Sequence, residues 1–204
     1  MKPDFRAERE LWRGGLRFVA GVDEVGRGPL AGPVCVAAVI FAADARLIEG
    51  VDDSKKLGRA AREALAPLIV ERALAVAIAF APPDEIDRVN IRQATLLAMT
   101  RAVAGLAVRP DFALIDGRDV PPGLLCSARA MVRGDALSFS IAAASIVAKV
   151  ARDRMMTRLD AHYPGYGFAA HAGYGTRAHR VALTALGPCP AHRRTFKSAP
   201  VAAC

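Results

Sequence analysis

Residues 17–41 read RFVAGVDEVGRGPLAGPVCVAAVIF, and this stretch decides the fold. Two β-branched, apolar runs, 17–23 and 33–41, flank a segment holding three glycines and a proline, a pattern that predicts two paired strands joined by a loop. A third strand is expected at 73–80. Between the second and third, residues 58–70 place Ala61, Leu65, Leu68 and Ile69 at helical spacing, with Pro67 the one break in the pattern. Downstream, 82–109 suits one or two helices packed on a sheet, 112–115 is a short apolar run closed by Asp116-Gly117, and 130–132 is a further strand ending at Gly134-Asp135. Residues 136–159 contain no Gly or Pro and are rich in Ala, a helix able to lie close against the sheet. A last helix over 176–186 is ended by Gly187-Pro188. Three early strands followed by helices alternating with two more strands predict a mixed α/β sheet covered by helices.

Composition bounds what such a fold can be. At 204 residues with 53% hydrophobic content, one domain spanning 1–204 is the expectation, and disorder is excluded. The most apolar stretches are far shorter than the ~20 residues a bilayer requires, so no membrane association is expected. The N-terminal MKPDFRAERE lacks the apolar core of a signal peptide, which predicts a cytoplasmic protein. Cys35, Cys126, Cys189 and Cys204 form no CxxC pair and are read as ordinary thiols.

Charge is informative by position. The formal net charge is +8, and residues 161–204 contain Arg177, Arg180, Arg193, Arg194 and Lys197, all four histidines and no carboxylate. A basic C-terminal segment of this kind, a small helical part from about residue 161, reads as a surface for a polyanion such as nucleic acid. The histidines lack the spacing of metal ligands and are expected to be structural or surface residues.

The acids sort by neighbourhood. Asp23-Glu24 closes the first strand, Asp116 a later one, and Asp135 follows a third, each within three residues of a glycine. If those strands are neighbours, their ends converge on one oxygen-rich site, which suits Mg²⁺ or Mn²⁺ better than zinc. Such a cluster needs cations to relieve its own repulsion, and phosphoryl transfer is the chemistry that paired cations serve. Asp52 and Asp53 are read as turn or helix-cap residues, and Asp153 as the partner of a neighbouring arginine.

The run GVDEVGRGPLAGPV at 21–34 closely resembles the N-terminal motif of bacterial ribonuclease HII, the type 2 ribonuclease H. The likeness continues in order through DDSKKL (52–57), LIDG (114–117), RGDA (133–136), AAASIVAKVARDRMM (142–156), HAGYGT (171–176) and HRRTF (192–196). Ordered blocks at compatible spacing carry far more weight than any one of them.

The resemblance implies a ribonuclease H-like fold: a mixed five-stranded sheet, antiparallel strands 1-2-3 plus parallel strands, flanked by helices. It implies hydrolysis of the RNA strand of RNA/DNA hybrids and nicking of duplex DNA 5′ of embedded ribonucleotides, leaving 3′-hydroxyl and 5′-phosphate ends, with two divalent cations, Mn²⁺ or Mg²⁺. The family's four catalytic, metal-holding carboxylates fall on Asp23, Glu24, Asp116 and Asp135, with Asp23 bridging the two ions. Gly26-Arg27-Gly28 matches the motif that reads the ribose 2′-hydroxyl through backbone groups, and Tyr174 the tyrosine that packs on the following deoxyribose. Ser54, Lys55 and Lys56 match a block used against phosphates, while Ser145 and Lys149 are expected to reach the active site or a phosphate. Position 172 is Ala where many relatives carry Lys, and the tail VAAC has no evident sliding-clamp motif. A monomer is the default. Two other readings remain: a non-catalytic hybrid-binding module, and another Mg²⁺-dependent nuclease of the same superfamily.

Overall fold

The computed structural model describes residues 2–196; Lys197, Cys204 and the tail VAAC lie outside them. Five strands, β1 (Val19–Val25), β2 (Val34–Ile40), β3 (Ala75–Ala81), β4 (Phe112–Asp116) and β5 (Ser127–Met131), form one sheet in the order β3-β2-β1-β4-β5. β1, β2 and β3 pair antiparallel, whereas β4 lies parallel to β1 and β5 parallel to β4. The expected mixed sheet is therefore present, with β5 starting three residues earlier, at Ser127 instead of 130, and closing at Met131 instead of residue 132 because its register follows β4 from Phe112–Ser127 onward.

Alternation along β2 divides the core in two. Cys35, Ala37 and Val39 face one helical layer, made by α1 (Arg6–Arg13), α2 (Arg59–Arg72) and α5 (Phe139–His162); Val34, Val36, Ala38 and Ile40 face the other, made by α3 (Pro83–Val89) and α4 (Ile91–Ala104). Both faces of β2 are buried, so it reads as a continuous apolar run with no polar alternation. The first part of α5, Phe139–Ala148, is buried on all sides because it is covered by the sheet and by α2, and its alanines bring it close. At Gly21 a Cβ would stand 2.2 Å from the backbone of Ser140, so only glycine lets the start of α5 rest on β1.

Local chemistry sets three boundaries, the first within what was expected and the other two departing from it. The 82–109 segment is two helices because Asn90 adopts φ 68°, a left-handed conformation Asn tolerates, and its side chain accepts the Gln93 N–H at 3.1 Å. α5 starts at Phe139 instead of 136, since Gly134–Ala136 is a 3-10 turn and Ser138 caps the helix by accepting the Ile141 N–H. α1 is only eight residues long and mostly charged, with Ala7, Leu11 and Trp12 as its apolar side; its place is fixed by those residues and by Glu8, buried against the start of α5.

The C-terminal part contains α6 (Phe168–His171) and α7 (Arg177–Leu186), which gather Ala31, Met156, Tyr166, Phe168 and Ala191 into a separate small core. Cys35, Cys126 and Cys189 are free thiols. Among the described residues no helix is long and apolar enough to cross a membrane.

Candidate active site

The parallel pairing of β1 with β4 runs to Val22 opposite Ile115, so the next residues along each strand, Asp23 and Asp116, stand side by side where that pairing ends, Asp23 still paired with Ala37 of β2 and Asp116 with Met131 of β5. The carboxyl ends of parallel strands are where open α/β sheets present ligand sites. Asp23, Glu24 and Asp116 each bring a carboxylate oxygen within 4.8 Å of the others. Asp23 is buried, Glu24 and Asp116 partly so.

This proximity has an electrostatic consequence. Burial, then the charges of Glu24 and Asp116, push the Asp23 carboxyl well above its ordinary pKa, against a hydroxyl contact from Ser145. Burial also raises Glu24, opposed by Arg27, and raises Asp116 together with the charge of Asp135. An all-oxygen set under mutual repulsion fits a hard divalent cation, whose charge would reverse each of these shifts.

Asp135 stands beside this trio without entering it. Its turn is tied to Asp116, whose Oδ1 accepts the Gly134 N–H at 2.6 Å and the Asp135 N–H at 3.4 Å. Its own carboxylate binds the Lys55 ammonium at 3.1 Å, and Asp135, despite a burial that works the other way, raises the Lys55 pKa.

The segment of Ser54 and Lys55 thus reaches the acids, as does α5. Ser54 Oγ and Ser145 Oγ are 2.6 Å apart and buried, behind Asp23. Lys149, one turn further along α5, is held by Asp153 at 2.6 Å; the partner expected for Asp153 was an arginine, and the i,i+4 lysine takes that place because it lies on the same helix face. Asp52 and Asp53 are turn residues, accepting the N–H groups of Asp53 and Lys55, and Asp52 also binds Lys56 at 3.0 Å.

Beyond β1 the Gly26–Arg27–Gly28 loop carries Arg27, whose guanidinium is 3.6 Å from Glu24. Gly26 takes φ +94°, and a Cβ there would collide with the Arg152 guanidinium at 2.0 Å, so glycine is required twice over. Gly28 comes within van der Waals reach of the Tyr174 ring: a Cβ on it would lie 3.7 Å from Cε1. Tyr174 is 47% exposed, leaving its ring free beside the loop.

Sequence reasoning missed two sets of residues. Arg92 and Arg118 line the cleft over Glu24 and Asp116, Arg92 holding Asp119 at 2.7 Å; nothing marks them in the sequence beyond a cationic side chain. Arg152 and Arg193 are buried beneath the Gly26–Gly28 loop; both fall inside quoted motifs, yet as basic residues they read as surface charges.

Comparison with known proteins gives consistent relationships. A family model described as Ribonuclease HII matches residues 20–199. Ribonuclease HII of Brucella abortus is 54% identical over 205 residues, covering 100% of this chain and 92% of that protein. The crystal structure of ribonuclease H2 from Pyrococcus horikoshii matches with a TM-score of 0.75 at 28% identity, over 88% of this chain and 94% of that one. The ribonuclease HII chain in a PCNA complex from Archaeoglobus fulgidus matches equally, with a TM-score of 0.75 at 29% identity over 88% and 95% of the two chains.

Proposed function

The chain belongs to the ribonuclease HII family and is a type 2 ribonuclease H, and from that premise we propose that it hydrolyses the RNA strand of RNA/DNA hybrids and nicks duplex DNA 5′ of an embedded ribonucleotide, leaving 3′-hydroxyl and 5′-phosphate ends. The observation that carries this reading is the meeting of Asp23, Glu24 and Asp116 within 4.8 Å at the ends of two adjacent parallel strands, next to a glycine loop and an exposed tyrosine.

Asp23, Glu24, Asp116 and Asp135 would hold two divalent cations, Mn²⁺ or Mg²⁺, which when bound supply a water of lowered pKa and stabilise the charge developing on the leaving 3′ oxygen. The protein's own part is positional. Ser54 and Ser145 orient the Asp23 carboxylate from behind. Lys55, 78% exposed on its side chain, reaches both Asp135 and the outer surface, where a phosphate would pass. Lys149, with its charge already shared with Asp153, would add a weaker field toward the backbone. The backbone of Gly26, Arg27 and Gly28 reads the ribose 2′-hydroxyl, the group that separates RNA from DNA. Tyr174 packs on the next sugar, where a 2′-hydroxyl would crowd its ring, and so favours an RNA-to-DNA junction. The PCNA complex belongs to the archaeal relative; the tail of this chain, which has no evident clamp motif, lies outside the described residues.

The test is a nicking assay on labelled duplex DNA containing one ribonucleotide, beside an all-DNA duplex, with Mg²⁺, Mn²⁺ or EDTA. A metal-dependent cut confined to the 5′ side of the ribonucleotide is expected. Binding without any cut would support a non-catalytic hybrid-binding module, and equal cutting of both duplexes a general nuclease.

A further inference from the structure

Two arginines lie wholly inside the protein beneath the Gly26–Gly28 loop, 0% and 2% exposed for Arg152 and Arg193, and among the described residues neither forms an ion pair with a carboxylate. Buried guanidinium groups are costly unless their donors are used. Here the acceptors are main-chain carbonyls. Arg193 donates from Nη1 to the carbonyl of Arg27 at 2.8 Å, from Nη2 to those of Gly26 at 2.5 Å and Gly32 at 2.8 Å, and from Nε to Gly32 at 2.9 Å. Arg152 donates to Pro33 at 2.9 Å, Ala172 at 3.0 Å and Ala31 at 3.2 Å.

The direction of these bonds fixes the other edge of the loop. No peptide bond in the described chain is cis, and across a trans peptide the C=O and the N–H of the following residue point opposite ways. Drawing the Gly26 and Arg27 carbonyls inward onto Arg193 therefore turns the Arg27 and Gly28 N–H groups outward. Among the described residues neither of those N–H groups donates to a protein acceptor. Arg27 and Gly28 are exposed, and Gly28 borders Tyr174.

We propose that Arg193 is a specificity-determining positioning residue, which aims the Arg27 and Gly28 N–H donors at the sugar oxygen that identifies a ribonucleotide. The inference rests on the reading of this loop as the ribose-recognition element and adds what holds it in that pose. The geometry calls for arginine in particular: one planar fork spans three carbonyls, whereas a lysine ammonium is a point donor that reaches one or two. Burial and the neighbouring Arg152 bring the Arg193 pKa down to about 9, which leaves it charged at neutral pH with all its donors. Arg193 arrives from the far end of the chain, its N–H donating to the Leu30 carbonyl at 2.9 Å, and the adjoining Arg194 and Thr195 are anchored by Asp87 on α3 at 2.9 and 3.0 Å. The basic C-terminal segment is thus built into the recognition loop from beneath.

The experiment measures equilibrium binding in EDTA, where nothing is cut, of wild type and Arg193→Lys to a duplex with one ribonucleotide and to the all-DNA duplex of the same sequence. The variant is expected to lose its preference for the ribonucleotide by about tenfold, the worth of one hydrogen bond in a desolvated site, with affinity for all-DNA duplex changed less than about twofold. Methylguanidinium added to Arg193→Ala should restore the preference. Undiminished preference in Arg193→Lys, or equal loss on both duplexes, would overturn the inference. A measurement on the wild type guards against a variant that does not fold: the Arg27 and Gly28 amides should gain exchange protection with the ribonucleotide duplex and not with all-DNA duplex, and protection by both alike would also overturn it. A wild type with no preference at all would remove the ribose-reading function itself, a failure separate from that of Arg193.

Discussion

Lys55 Nζ stands 3.1 Å from Asp135 Oδ2, so the one carboxylate of the four that remains outside the three-acid cluster is paired with an ammonium, as Glu24 inside it is approached by Arg27 at 3.6 Å. The two facts are connected. Asp23, Glu24 and Asp116 repel one another across less than 4.8 Å, and a fourth uncompensated charge would add to that repulsion. An ammonium on a flexible, exposed stem neutralises Asp135 and is readily displaced.

If Asp135 holds a metal ion as proposed, Lys55 would compete with that ion for it while offering charge to a phosphate. Lys55→Ala should lower the concentration of Mg²⁺ or Mn²⁺ needed for half-maximal cleavage by several-fold and raise KM for the duplex, two opposite effects of one substitution. Metal titrations at saturating duplex, with duplex titrations at saturating metal, separate them. An unchanged metal requirement would mean that Lys55 does not occupy a cation's place.

The raised pKa of Asp23 makes a stability prediction whose sign is fixed. A carboxyl whose folded pKa lies above its unfolded value holds its proton more tightly in the folded state, so cation-free stability rises as pH falls through the elevated value and is lowest where the group is ionised. Asp23→Asn removes that charge. In EDTA at pH 7.5 it should melt a few degrees above wild type, the shift of about 1 kcal/mol in a domain of this size, and gain less from added Mn²⁺ than wild type does. It should cut nothing and still bind duplex; retained cleavage would take Asp23 out of the metal site.

Glu8 makes a purely structural prediction. Buried on α1, it accepts the Ser138 hydroxyl at 2.6 Å and the Ser140 N–H at 2.9 Å, and so satisfies donors at the positive end of α5. Glu8→Ala leaves both unpaired in a dry site and should cost about 3 kcal/mol. Urea unfolding is expected to give a lower midpoint at unchanged slope. An unmoved midpoint would show that water takes over these bonds.

How much of this could be read beforehand differs between fold and site. The strands were legible because β1, β2 and β4 are buried on both faces and so carry apolar runs, and the three acids that the fold brings together, Asp23, Glu24 and Asp116, because each lies within three residues of a glycine near the end of such a run. α1 was passed over: its apolar side is only Ala7, Leu11 and Trp12 within eight residues, and its one buried residue, Glu8, reaches Ser138, a contact 130 residues away in sequence with no local signature. The same holds for Arg152 and Arg193. Periodicity reports which residues leave water, but a buried arginine whose partners are carbonyls of a distant loop looks in sequence like any surface cation. The histidines show the same limit, since His179 and His192, thirteen residues apart, meet at 3.1 Å only in the folded chain.

That histidine pair bears on Tyr174 and gives the last prediction. The Tyr174 carbonyl lies 2.9 Å from His179 Nδ1 and can only accept, so Nδ1 carries the proton and Nε2 is free to accept from His192 Nε2 at 3.1 Å; His192 Nδ1 in turn accepts the Cys189 N–H at 3.1 Å. Both rings are neutral in this arrangement. Burial lowers both pKa values, aided at His179 by the stacked His171 and at His192 by His179 itself. A histidine whose folded pKa lies below its unfolded value of about 6.5 gives stability that is complete above that pH and is lost as pH falls below it, because the unfolded chain then takes up protons the folded one cannot. The loop bearing Tyr174 should loosen accordingly. The ratio of kcat/KM on a single-ribonucleotide duplex to that on a continuous hybrid should therefore fall between pH 7.5 and 5.5, and a comparison of ratios cancels the pH dependence of the chemistry itself. Tyr174→Ala should show a low ratio at both pH values. His179→Asn, which keeps a donor near the Tyr174 carbonyl but cannot take up a proton, should hold a ratio that no longer varies with pH. A wild-type ratio flat across this range would disconnect the pair from Tyr174, and equal losses on both substrates in Tyr174→Ala would deny the tyrosine a junction-reading role.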